Sequence, residues 1–205
     1  MYGGGALPVR EAVRRKGYGW PSILVLGLVF AIFEEAFTTQ SLFNPNYLGL
    51  NLHLLQPAYI PAIGMGAWWT IYVLTLHTVW SISTSIALTE ALFPGRATTP
   101  WLGRPGLAAT VLLFALGAMV MTKITLRGDH FVDPLHQFVS TALVCVLLTV
   151  LAFRLPKDSS ARASGGVPSP WIMGVVALAA GSAFMLVPPA WDGSPWPLTW
   201  ALIWQ

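Results

Sequence analysis

Two adjacent carboxylates, Glu34 and Glu35, interrupt the apolar stretch "VFAIFEEAFTTQSLFNPN". A charged carboxylate near the centre of a bilayer costs roughly 2.5–3.5 kcal/mol on insertion scales, so such a residue has a partner or a task. Glu34, Thr38 and Ser41 stand at i, i+4 and i+7 and share one helical face, while Glu35, Thr39 and Leu42 share the next. A second polar stripe, Thr70, His77, Ser81 and Thr84, puts His77 near the middle of a later apolar run. A third group, "RGDHFVDPLHQF", supplies Asp129, His130, Asp133 and His136. Carboxylates and an imidazole enclosed in low dielectric favour their neutral forms, which suits a general base or a proton carrier. The same groups also serve as hydrogen-bonding glue between helices. Glue, catalysis and ion or proton handling all stand open on these residues alone.

The elements that must position these side chains are membrane helices. Of the 205 residues, 55% are hydrophobic and 9% charged, with a mean hydropathy of +0.65, more apolar surface than a water-soluble domain can hide. Runs of spanning length cover Pro21–Thr39, Ala67–Leu92, about Leu107–Leu126, Pro134–Phe153 and Trp171–Val187. The tail after Pro197 reads as an interfacial end or a truncated sixth span. Ser41–Pro57 reads as a loop, Tyr59–Gly66 as a short extra helix or re-entrant piece, and Asp133 and Pro134 as N-cap and first residue of the fourth span.

Basic residues set an orientation. Arg10, Arg14, Arg15, Lys16, Arg96, Arg104, Arg154, Lys157 and Arg162 fall on one side of these spans, and only Lys123 and Arg127 on the other. The positive-inside rule then makes the N-terminus cytoplasmic and puts the glutamates in the outer half of the first span. The expected architecture is an all-α polytopic membrane bundle of five to six transmembrane helices. Residues 1–20 form a cytoplasmic segment and 21–205 a single transmembrane domain.

Other features carry less chemistry. Gly3, Gly4 and Gly5 lack the strand, Lys and Ser/Thr of a phosphate loop. Cys145 alone builds neither a disulfide nor a thiolate metal site. His130, Asp133 and His136 are metal-ligand types, but Pro134 breaks the helix between them, and capping is the simpler role. Glu90 reads as the partner of a loop arginine such as Arg96 or of headgroups, Lys123 as a snorkelling residue, and the ten tryptophans as interfacial anchors. The dispersed basic residues point to topology and not to nucleic acid. The partner is the lipid bilayer of the cell membrane, with a membrane protein or a peptide substrate as the further prospects. No cofactor is legible.

Two resemblances bear on function. "FEEAFTTQSLF" resembles the first motif of the CAAX-protease and bacteriocin-processing family of intramembrane proteases, "YVLTLH" its second, and "HQFVS" its third. That resemblance implies water activation by Glu34 or Glu35, assistance by His77, and oxyanion stabilisation by His136. The chain departs from the pattern at Thr39, Gln40 and Ser140, where the family has Arg, Gly and Asn. Over most of its length the chain is similar to uncharacterised actinobacterial multi-pass membrane proteins that share stretches like "YGGGAL", "SLFNP" and "TTPWLG". Those relatives carry hydrophobic helices before the "YGGG" segment, so Met1 reads as an internal start. The expected function is an integral membrane protein with a Glu-Glu/His polar centre, structural or proton-handling. The alternative is a diverged intramembrane hydrolase.

Overall fold

The computed structural model describes residues 2–50, 52–56, 58–157 and 169–186. The chain divides into two compact units, Met1–Asp158 and Ser159–Gln205. In the first, the elements run α1 (Tyr2–Arg15), α2 (Trp20–Phe33), a π-helical turn (Glu34–Thr38), the hairpin strands β1 (Tyr59–Ile60) and β2 (Met65–Gly66), α3 (Ala67–Thr75), a second π-helical segment (Leu76–Ser83), α4 (Thr84–Leu92), α5 (Arg104–Asp129) and α6 (Leu135–Ala152). The second contributes α7 (Pro170–Leu186). The tail after Pro197 lies outside the described residues.

Among the described residues, four helical stretches are long and apolar enough to cross a bilayer: Trp20–Thr38, Ala67–Leu92, Arg104–Asp129 and Leu135–Ala152. α7 is a shorter apolar helix. This is the all-α membrane bundle the hydropathy predicts. The spans are not equivalent. The first is 61% buried within the protein, whereas α5 and α6 are 6% and 11% buried and present leucine, valine and methionine outward, as lipid-facing helices do.

Local signals explain the helix starts. α2 and α5 each have proline in the first turn, where a missing N–H costs nothing. α6 opens one residue later than Asp133 predicts. Its N-cap is Pro134, and no side chain caps it. The segment near Tyr59 is a hairpin and not a helix: Tyr59 pairs with Gly66 and Ile60 with Met65. Pro61 and the positive φ of Gly64 (+69°) suit that turn.

α1 packs on α2 and α5, and its glycines permit the approach. A Cβ at Gly5 would stand 2.1 Å from the Phe30 ring, and one at Gly4 would stand 3.4 Å from Cα of Phe114. The "GGG" run is therefore a packing surface, the role small residues play between membrane helices. Two apolar clusters fill the interior. One gathers Val13, Ile23, Phe30 and Ile82, the other Ala36, Leu42, Phe43 and Val73. Along both α2 and the α3–α4 helix, Glu34, Glu35 and His77 fall between members of the two clusters.

Candidate functional site

Glu34 and Glu35 lie where α2 turns into a π-helix, and His77 lies in the second π-helical segment, opposite them. In the first turn the Thr39 N–H reaches the Glu34 carbonyl at 2.9 Å, five residues back. Each π-turn adds a residue to the helical repeat and changes which side chains share a face, a deformation frequent at functional sites. The i, i+4 pairs of the stripes hold, Thr39 with Glu35 and Ser81 with His77, but their longer extensions do not. Ser41 bonds to Glu35 and not along the Glu34 face, and Thr84 turns outward and is exposed.

All three titratable side chains are buried, with 3%, 4% and 7% of the surface of Glu34, Glu35 and His77 exposed. Nε2 of His77 is 2.8 Å from Oε1 of Glu35. Its Nδ1 is 3.2 Å from the Ser81 hydroxyl and 3.7 Å from Oε2 of Glu34. One ligand atom from each of the three residues lies within 4.8 Å of the others. No other group of three such side chains gathers this way among the described residues.

A shell of donors orients Glu35. Its Oε2 accepts from the Thr39 hydroxyl at 3.0 Å and from the Ser41 hydroxyl. The Trp69 indole N–H donates in turn to Ser41 at 3.0 Å. Glu34 differs. Its Oε2 is buried and has no hydrogen-bond partner among the described residues. The ring of Tyr2, from α1, stacks on His77 with centroids 5.4 Å apart and planes 16° apart.

Gln40 follows this shell directly, with φ of +56°, a left-handed conformation that costs a non-glycine residue energy. Its buried side-chain oxygen accepts the backbone N–H of Asp133 at 2.9 Å, which ties the end of the first span to the α5–α6 connection. Asp133 itself is buried, neither of its carboxylate oxygens has a hydrogen-bond partner among the described residues, and desolvation raises its pKa to about 7. Asp129 accepts from the Asn44 side chain at 2.8 Å.

Of the residues singled out in the sequence, the structure brings together Glu34, Glu35, His77, Ser41, Thr39 and Ser81. His136 is exposed on the first turn of α6 and is not gathered into that group, and His53 and His130 are exposed as well. His130, Asp133 and His136 do not form a gathered ligand set among the described residues. Tyr2 and Trp69 are the participants that sequence reasoning missed. The only signal for Tyr2 was the glycine run after it, which lets α1 pack closely.

Glu90 also corrects its expectation. Its partners are Arg10 at 2.9 Å and Arg14 at 2.8 Å, from α1, and not Arg96. Arg96 contributes its carbonyl to Arg10 instead.

Neither the curated proteins nor the solved structures contain a match to this chain. The model of a family described as an uncharacterized membrane protein family matches residues 1–187, and the chain belongs to that family.

Proposed function

We propose that this integral membrane protein takes up and releases a proton at the Glu34–Glu35–His77 centre, with its N-terminus on the cytoplasmic side. The observation that carries the reading is the buried, unbonded Oε2 of Glu34 beside a Glu35–His77 pair. A centre that served only as helix glue would satisfy its acceptors, because leaving a buried polar group unpaired costs about 1–3 kcal/mol and more for a charge. Among the described residues, the ion pairs of both glutamates run to His77 alone. One imidazolium cannot neutralise two carboxylates, so the centre needs a further positive charge. A proton on Glu34 supplies it, and its exchange is a function within reach of such a site.

Infrared difference spectroscopy on the reconstituted protein tests this. The expected result is a protonated-carboxyl band that disappears in Glu34→Gln and titrates with external pH. Absence of the band in the wild type sinks the reading.

A second reading is an intramembrane hydrolase, with a peptide as substrate and a membrane protein as its source. It is favoured by the orienting shell around Glu35, in which Thr39, Ser41 and Trp69 hold the carboxylate on His77 while Glu34 stays free to take a proton from water. The protease resemblance gives His136 the oxyanion role, but that residue is exposed on α6 and apart from the centre, so this reading runs through Glu34, Glu35 and His77. Cleavage of a reporter peptide in proteoliposomes, abolished by Glu34→Gln and Glu35→Gln, would support it. Equal cleavage by these variants rejects it.

A further inference from the structure

We infer that Glu34, Glu35 and His77 form a binding site for one divalent transition-metal ion of the zinc or manganese class, in competition with the proton. The inference rests on the reading that this centre lacks a compensating cation, and it names which cation the side chains are built to hold.

Charge stoichiometry is the first argument. Two carboxylates, one neutral imidazole and one divalent ion sum to zero, the most favourable total for a cluster enclosed by membrane helices. The donor set is the second. Carboxylate oxygens with one imidazole nitrogen suit zinc, manganese or iron, and three protein ligands leave a coordination position open.

Geometry is the third. Ligand atoms held about 2.0–2.2 Å from one tetrahedral ion stand roughly 3.3–3.6 Å apart. One ligand atom from each residue lies within 4.8 Å of the others, and His77 Nε2 stands 2.8 Å from Glu35 Oε1. Side-chain torsion adjustments that move the ligand atoms by about an ångström bring all three onto an ion. The unbonded Oε2 of Glu34, on a residue 97% buried, is the independent sign of a missing partner.

The surroundings are those of a metal site as well. A ligating histidine donates its other ring N–H to a neighbour, which fixes the tautomer. Here Nδ1 faces the Ser81 hydroxyl at 3.2 Å and leaves Nε2 for the ion. The Thr39 and Ser41 hydroxyls hold Oε2 of Glu35, which leaves Oε1 on the side of His77. Thr39, Ser41 and Ser81 are positioning residues in this arrangement, and Tyr2 covers the imidazole face.

Co2+ titration of the purified full chain in detergent tests the inference, read by visible absorption and by metal content after gel filtration. The expected result is one Co2+ per chain with a nitrogen–oxygen ligand-field spectrum, displaced by Zn2+, and with protons released on binding. His77→Ala and Glu34→Gln should each weaken binding by about 100-fold or more and Ser41→Ala by about 10-fold, the range of outer-shell losses. His53→Ala and His130→Ala should leave it unchanged. Should His77→Ala fail to fold, Glu34→Gln decides, because it keeps the side chain's size and Oε2 of Glu34 makes no hydrogen bond among the described residues. Absence of Co2+ and Zn2+ binding in the wild type, or equal binding by Glu34→Gln, overturns the inference.

The two readings fail separately. A titrating carboxyl band without metal binding leaves proton handling standing and removes the metal. Metal binding with neither the band nor proton release keeps the metal and removes proton handling.

Discussion

Two buried ionic clusters among the described residues differ in how fully their carboxylates are paired. Near the end of α4, Glu90 accepts from Arg10 and Arg14, and Glu11 accepts from Arg15 and from the backbone N–H of Trp101. The Arg10 guanidinium also reaches the carbonyls of Arg96, Ala97 and Thr99 and stacks on Trp101, 3.3 Å from the ring centroid. Three guanidiniums face two carboxylates, and every carboxylate oxygen is engaged. Such a network clamps α1 to α4 and to the loop that precedes α5. In the Glu34–Glu35–His77 centre, carboxylates outnumber cations and one oxygen is unbonded. Saturation marks the structural cluster, and the vacancy in hydrogen bonding marks the one we propose as functional.

Breaking the saturated cluster should do the most damage. Glu90→Ala leaves Arg10 and Arg14 buried without their carboxylate, a loss of about 3–5 kcal/mol. Thermal unfolding in detergent should show a large drop or no folded protein, and a small drop would mean that the two clusters do not differ as described.

Next comes pH. Burial raises Asp133 from 3.8 to about 7, so between those values the folded state binds a proton that the unfolded state has lost. Its stabilisation is complete below about pH 4 and disappears as pH rises through 7. The melting temperature should therefore fall between pH 5 and pH 8, and Asp133→Asn should flatten that slope. An unchanged slope removes Asp133 as its source.

Smaller still is Ser41→Ala, which deletes one donor to Glu35 and leaves the Trp69 indole without its acceptor, a loss of about 1 kcal/mol. The smallest stability effect belongs to Glu34→Gln. It replaces a carboxylate whose Oε2 has no hydrogen bond among the described residues and only a 3.7 Å ion pair to His77, and should leave the melting temperature unchanged or slightly raised. A loss comparable to that of Glu90→Ala would make Glu34 structural glue and end the contrast between the clusters.

How far the sequence reaches follows from the range of the signal. The span Ala67–Leu92 is found where hydropathy places it, and the other described spans agree to within a few residues. Hydropathy is a sum over some twenty residues and survives local error. Glu34, Glu35 and His77 were legible because ionisable groups are rare in apolar runs and stand out by type. Of their partners, Thr39 and Ser81 were legible at i+4, whereas Tyr2, Trp69 and the Ser41–Glu35 bond were not. The stripes assumed a regular 3.6-residue repeat, and both π-helical segments break it next to the groups that matter. Asp133 and Pro134 were read as cap and first residue from local preference, yet the Asp133 N–H bonds to Gln40 across the fold. The helix expected near Tyr59 lost to a hairpin set by Gly64.

By itself the sequence determined the membrane class, the spans, and which ionisable side chains are costly enough to need a reason. Those are consequences of composition along one chain, since transfer from water to lipid acts residue by residue. Only the tertiary structure decided that Arg10 and Arg14 neutralise Glu90 while Glu34 keeps an unbonded oxygen beside His77. Pairing depends on distances of a few ångströms between helices far apart in the chain, and one extra residue in a helical turn is enough to redirect it.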